Sequence, residues 1–218
     1  MNWNTPAGWG HTPPGYSQPQ PAYSGSWQQP AWTDHKEGFF HHDRFISNTR
    51  KHPELHPILA AETTLARVDI RFEPASEAAF PSKIYYAYRH IHATADQASH
   101  VRLISKDFPW SIDIKTPGRP VTCDDVWNAL YTALQQPLAD SEWGVLSHDS
   151  SKAKKVQKAA KQRQSEIDKD KGGPKRVDWV ADSHIFRGLE EDDEFSKRRL
   201  AYVDSQCDAT FVVKLGTS

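Results

Sequence analysis

Apolar and polar residues alternate after about residue 55 with the two periods that are typical of strands and of helices. Leu65, Val68, Ile70 and Phe72 form the first such row, with Asp69 and Arg71 between the last three. An alternation with period two predicts a strand that buries one face. A first strand is therefore expected between residues 65 and 72.

A hairpin and a closing strand are predicted further along the chain. Apolar residues recur over 101–104 and again over 110–114, and the turn-forming stretch 106–109 separates them. The run 209–215 is rich in β-branched and aromatic residues, and it is expected to close the sheet. The segment 81–97 fits either a strand or a short helix.

The clearest helix is expected after Thr122. Asp125 lies three residues further on, which approximates a capping box, and Pro137 ends the helix. One helical stripe carries Val126, Leu130, Ala133 and Leu134. A second helix is predicted to begin at Asp140 or Ser141. Together these elements predict one compact α+β domain over residues 51–218, with a mostly antiparallel sheet and two or three helices.

The first fifty residues differ from the rest and are expected to form a disordered arm. Residues 1–33 contain no charged side chain and no Val, Ile or Leu, but six prolines and four glycines. Aromatic rings recur in the arm, and two explanations stay open: they dock onto a partner, or they pack on the domain. The rings belong to Trp3, Trp9, Tyr16, Tyr23, Trp27 and Trp32.

One tetrapeptide in the arm has the form Pro-Pro-x-Tyr. Pro13, Pro14 and Tyr16 supply its fixed positions, and this form resembles the ligand of WW domains. A WW-domain protein is therefore a candidate partner. The alternative is a solvated linker, because four residues in a proline-rich tract match such a motif easily by chance.

The charge is balanced overall, with 27 Lys and Arg against 28 Asp and Glu, but it is uneven along the chain. Ten Lys or Arg face three acidic residues over 152–176, a local excess of seven positive charges. Lys154, Lys155, Lys158 and Lys161 fall on one helical face. This pattern fits either nucleic-acid or acidic-partner binding, or a solvated helix that the acidic run 190–194 screens. No aromatic residue interrupts the run, so base stacking is not indicated.

Candidate catalytic and metal-binding residues are few. Cys123 stands at the first helical position, where the helix dipole favours a thiolate, but no base can be assigned to it from the sequence. The histidines at 41–42 and at 90 and 92 are the tightest groups, without the spacing of a zinc motif. A cryptic enzyme using Cys123 or a histidine pair stays open, and no cofactor or metal is expected.

Cysteine content and hydropathy indicate the compartment. Cys123 and Cys207 are read as free thiols of the cytoplasm or nucleus. The sequence shows neither a signal peptide nor an apolar run of about 18 residues, so no membrane association is expected.

An ordered series of short motifs resembles a domain family of unknown function that is abundant in basidiomycete fungi. The resemblance extends from about residue 53 to the end of the chain and implies a domain boundary, without any functional residue. Its motifs include His56–Leu59, Val68–Arg71, Phe108–Ile112, Arg176–Trp179 and Phe186–Leu189. The preferred hypothesis is a non-enzymatic interaction module with a docking arm.

Overall fold

The computed structural model describes residues 54–168, 172–201, 207 and 209–217. Over these ranges, five strands and six α-helices form one unit, with a π-helical turn at Gln164–Asp168. The strands are β1 (Val68–Asp69), β2 (His100–Ser105), β3 (Ile112–Lys115), β4 (Ile185–Glu190) and β5 (Ala209–Gly216). The helices are α1 (Ser82–Tyr88), α2 (Cys123–Gln135), α3 (Asp140–Ser147), α4 (Ser150–Arg163), α5 (Arg176–Trp179) and α6 (Asp193–Arg199).

The five strands form a single sheet in the order β1-β4-β5-β2-β3. Three of its pairings are antiparallel, and β2 pairs parallel with β5. The predicted α+β class with a mostly antiparallel sheet is therefore confirmed. The strand at 209–215 occupies the middle of the sheet instead of an edge, which explains its nearly continuous apolar composition.

The predicted hairpin is confirmed. Val101 lies opposite Ile114 and Leu103 opposite Ile112, and all four side chains are buried. The first strand is much shorter than predicted, because β1 contains only Val68 and Asp69. Leu65 is 80% exposed, so its match to the alternating pattern does not reflect burial.

Helix α2 begins and packs as its sequence predicts. Asp125 N–H donates to Thr122 Oγ1, and Thr122 N–H donates to Asp125 Oδ2, which completes the capping box. The buried stripe includes Val126, Trp127 and Leu134. The Trp127 ring lies edge-on to Phe80 at 5.0 Å between centroids, and thereby joins α2 to the segment before α1.

The described chain forms more helices than the two or three that the sequence patterns predict. Helices α1, α5 and α6 span only seven, four and seven residues, which is too short to display a repeated apolar stripe. Helix α1 also resolves the ambiguity over 81–97, because it occupies the first half of that segment.

Gly188 allows the motif His56–Leu59 to pack against the motif Phe186–Leu189. Its φ is +108°, and a Cβ at this position would lie 2.6 Å from the Cα of Ala61. Beside it, Leu189 N–H donates to Leu59 O at 2.6 Å, and Ala61 N–H donates to Leu189 O at 2.8 Å. The segment after His56 therefore packs directly on β4.

The predicted arm and its boundary at residue 50 lie outside the described residues. Among the helices that the structure describes, none has the length and apolar character needed to cross a membrane.

Candidate functional site

Helix α4 carries most of the basic segment and is anchored at its beginning and along one side. Asp149 caps it, because its Oδ1 accepts a hydrogen bond from Lys152 N–H at 2.9 Å. Val156 and Ala160 are buried against the domain. Alanine, lysine and glutamine are good helix formers, which explains the continuous helix.

The opposite side of α4 is a lysine face. We define this face as Lys154, Lys155, Lys158 and Lys161, all of which are exposed. Within the described part of the chain, none of the four forms an ion pair. The structure therefore groups the four lysines that the sequence places together.

Arg163, the last residue of α4, fixes the helix to α5 through a buried ion pair. Its Nε and Nη2 donate to Oδ1 and Oδ2 of Asp178, each at 2.9 Å. Arg163 is 5% exposed and Asp178 is 2% exposed. Asp178 Oδ2 also accepts from Lys175 N–H at 2.8 Å. These bonds satisfy both buried charges and hold the lysine face in a defined position.

A small cleft lies beside this ion pair. Its volume is about 60 Å³, and Arg71, Gln162 and His184 contribute to its wall. Arg71 is held by Asp69 in a salt bridge of 2.6 Å. Such a volume suits a few water molecules and is too small for an organic substrate.

An open groove of about 380 Å³ borders the beginning of α4. Lys152 Nζ lies 4.4 Å from the centroid of the Trp179 ring at this groove. The sequence shows no aromatic residue in the basic run, and the fold nevertheless brings Trp179 to it. The ring is buried, so it supports Lys152 instead of offering a surface for base stacking. The charged residues around the groove are Lys106, Lys152, Lys155, Asp107, Asp149 and Asp182.

Two carboxylates of the acidic run 190–194 pair with lysines outside the lysine face. Asp192 pairs with Lys106 at 2.7 Å and caps α6, and Glu190 pairs with Lys214 at 2.9 Å. The expectation that this run screens the basic segment is therefore wrong for these two carboxylates. Within the described residues, neither carboxylate pairs with the lysine face.

The proposed thiol nucleophile lies in the core. Cys123 is completely buried, and burial raises the pKa of its thiol to about 12. The dipole of α2 does not overcome this desolvation, so the basis for a reactive Cys123 is removed. Within the described ranges, His90 and His92 belong to no group of three close ligating side chains, and His41 and His42 lie outside those ranges.

One cluster of potential metal-ligating side chains was not predicted from the sequence. A ring nitrogen of His100, a carboxylate oxygen of Asp113 and Sγ of Cys207 lie within 4.8 Å of one another. The β2–β3 pairing places Asp113 opposite Arg102, two residues from His100 on the same strand. Cys207 joins them because β5 starts beside β2, and a parallel pairing across about a hundred residues leaves no local signal.

The fold and the site define an α+β domain with a central parallel strand pair and an exposed lysine face. The chain belongs to a family of unknown function, DUF6699, whose model matches residues 66–198. The expected membership of a domain family of unknown function is thereby confirmed over this range. Neither the curated proteins nor the solved structures contain a match. Pro13, Pro14 and Tyr16 lie outside the described residues.

Proposed function

We propose that the domain is a non-enzymatic binding module that contacts the phosphate backbone of a nucleic acid through the lysine face of α4. The observation that carries this proposal is the group of four exposed lysines without ion pairs in the described chain. Lys154 and Lys161, at the two ends of the face, are separated by about 10 Å along the helix axis. Such an array attracts a partner with repeated negative charge.

The composition of the face favours a nucleic acid over an acidic protein. Lysine is depleted at the centres of protein interfaces, where aromatic residues and arginine are enriched. Lysine ammonium groups instead neutralise phosphates as point charges, without reading the bases. The expected binding is therefore independent of sequence and sensitive to salt.

Two features support a role without catalysis. The thiol of Cys123 is buried and its pKa is raised, and the groove beside α4 is open with charges of both signs along its wall. An enzyme of this size more often holds its substrate in an enclosed, mostly apolar pocket. We therefore propose a binding role for the domain, in the cytoplasm or nucleus where nucleic acids occur.

Fluorescence anisotropy with labelled oligonucleotides of mixed sequence tests this proposal. For the full chain, four phosphate contacts predict a slope of log K against log salt of about −3 to −4. Replacing all four lysines by glutamate is expected to abolish binding. The double variant Lys154→Gln/Lys158→Gln should reduce the slope by about two.

The matched control removes two exposed lysines from other elements, Lys83→Gln/Lys115→Gln. This control is expected to bind as the wild type does. Absence of binding at low salt would overturn the proposal, and so would an equal loss in the control. Lysine-dependent binding to polyglutamate but not to oligonucleotides would point instead to an acidic protein partner.

The arm provides a second candidate function, which rests on its sequence alone. Pro13, Pro14 and Tyr16 match the WW-domain ligand form in a stretch without charge or aliphatic anchors. We propose that this peptide docks onto a WW domain. Titration of WW domains with the full chain should show binding that Tyr16→Ala removes. Tyr23→Ala is the control, because Tyr23 lacks the preceding proline pair, and equal loss in both variants would refute the motif.

A further inference from the structure

His100, Asp113 and Cys207 meet at one end of the β2–β3–β5 part of the sheet. His100 begins β2, Asp113 lies on β3, and Cys207 stands two residues before β5. His100 Nε2 lies 2.8 Å from Asp113 Oδ1. Each of the three residues offers one ligating atom, and these atoms lie within 4.8 Å of one another. Three separate segments thus supply nitrogen, oxygen and sulfur to one place.

We propose that these three side chains bind a divalent transition-metal ion of the zinc class. Zinc takes Cys, His and carboxylate ligands at about 2.0–2.3 Å, which separates tetrahedral ligands by about 3.4 Å. The three side chains would close around the ion by rotamer adjustments of an ångström or so. A fourth position is left for water or for a ligand atom of a partner.

Arg102 provides the outer support that a ligating carboxylate needs. Its Nε and Nη2 contact Asp113 Oδ1 at 2.8 and 2.7 Å. The described contacts of His100 and Arg102 with Asp113 go to Oδ1, and ligation would use Oδ2. Outer hydrogen bonds of this kind orient metal ligands and hold them in place. When they ligate the ion, Asp113 and Cys207 each carry one negative charge. Together these charges balance the positive charge of Arg102 and part of the charge of the ion.

A thiol nucleophile with the same three residue types fits the structure less well. Cys207 Sγ lies 3.1 Å from Ala209 O and 3.5 Å from His100 O, and either oxygen can accept its single thiol hydrogen. Burial raises the pKa of this thiol, which disfavours the thiolate that a nucleophile needs. A bound metal ion deprotonates a coordinating thiol and releases the proton to solvent.

Two of the three side chains in the cluster are partly exposed to solvent. The Asp113 side chain is 33% exposed and the His100 side chain is 13% exposed. This arrangement gives an ion a route of entry, while the strands hold two ligands in a fixed register. Metal sites on strands are more precisely placed than sites on loops.

Cobalt titration of the full chain, reduced, metal-free and without a histidine tag, tests the proposal. One equivalent of Co²⁺ is expected to produce a thiolate-to-cobalt charge-transfer band, and Zn²⁺ should displace it. The variant Cys207→Ser should lose the band. Loss of a hydrogen-bond partner of a metal ligand weakens metal binding by about 10- to 100-fold, so loss of the ligand in His100→Gln should weaken Co²⁺ binding at least as much. His90→Gln should leave Co²⁺ binding unchanged.

The control variant Cys123→Ser is expected to keep the band. Because the chain contains two cysteines, this result assigns the thiolate to Cys207 even if Cys207→Ser fails to fold. Absence of the band in the wild type would overturn the proposal, as would a band that survives Cys207→Ser or disappears in a folded Cys123→Ser protein.

Discussion

Arg163 and Asp178 form a bidentate ion pair inside the protein, with both N···O distances at 2.9 Å. The pair joins the end of the basic helix α4 to α5. It also turns one arginine of the basic segment inward, while the lysine face stays in solvent. The basic segment therefore both attaches α4 to α5 and exposes the lysine face to solvent.

Breaking this pair is expected to destabilise the domain. Arg163→Met leaves the Asp178 carboxylate buried without its partner, and the expected loss is about 3–5 kcal/mol in the free energy of unfolding. Urea denaturation measures it. The double variant Arg163→Met/Asp178→Leu removes both charges and should recover much of the loss. A single variant that unfolds like the wild type would show that the pair contributes little.

The capping box of α2 is expected to make stability depend on pH. Burial of Asp125 opposes its ionisation, but hydrogen bonds from Arg119 and Thr122 outweigh burial, so its pKa lies below the ordinary 3.8. When the folded-state pKa lies below the unfolded-state pKa, the carboxylate stabilises the protein fully above the unfolded-state pKa. This stability is lost as the pH falls through the folded-state pKa. The deficit of Asp125→Asn relative to wild type should therefore be largest near neutrality and should shrink below about pH 4.

Urea denaturation at about pH 6 and at about pH 3 compares these states. The control is Asp96→Asn, which removes an exposed carboxylate that forms no ion pair in the described ranges. The interpretation fails if Asp125→Asn costs as much stability in acid as at neutrality. Thr122→Ala should cost about 1 kcal/mol near neutrality, because the N-cap hydroxyl is lost.

Gly188 is expected to tolerate no side chain. Alanine there would adopt a φ of +108° and would place its Cβ 2.6 Å from the Ala61 backbone. The strained backbone alone costs about 1–3 kcal/mol, and displacement of the segment at Leu59 adds to it. Thermal or urea unfolding of Gly188→Ala measures the loss.

Gly144→Ala is the matched glycine control, because it lies in helix α3 with nothing within 4 Å of the added Cβ. Alanine is preferred over glycine in helices by about 1 kcal/mol, so this variant should be slightly more stable. A Gly188→Ala protein as stable as Gly144→Ala would contradict the close packing of β4 on residues 59–61.

The two thiols are expected to differ in reactivity. Cys123 is completely buried and its pKa is raised to about 12, whereas Cys207 is only partly buried. Alkylation of the folded protein, followed by peptide mass spectrometry, should modify Cys207 well before Cys123. Both should react equally in urea. Rapid labelling of Cys123 in the folded protein would contradict its place in the core.

Local patterns predicted the elements whose contacts are near in sequence. The helix after Thr122 and the hairpin of Val101 and Ile114 were predicted because a cap, a stripe and a turn lie within a few residues of one another. The lysine face was predicted for the same reason, since its four members lie within two helical turns.

The remaining features depend on distant contacts. Leu65 matches a strand pattern yet is exposed, because burial is decided by the neighbours that the fold provides. Cys207 meets His100 only through the parallel pairing of β2 with β5, and Asp178 meets Arg163 only after the chain turns back from α4. A single sequence does not reveal such partners.

The central position of β5 has a consequence for folding. Its partners β2 and β4 come earlier in the chain, and Ala209 is paired with Val101, 108 residues upstream. Loop closure over this distance is slow compared with formation of α2 or of the β2–β3 hairpin. During synthesis on the ribosome, the β2–β3 hairpin and β4 therefore keep unpaired edges until β5 emerges and pairs with both.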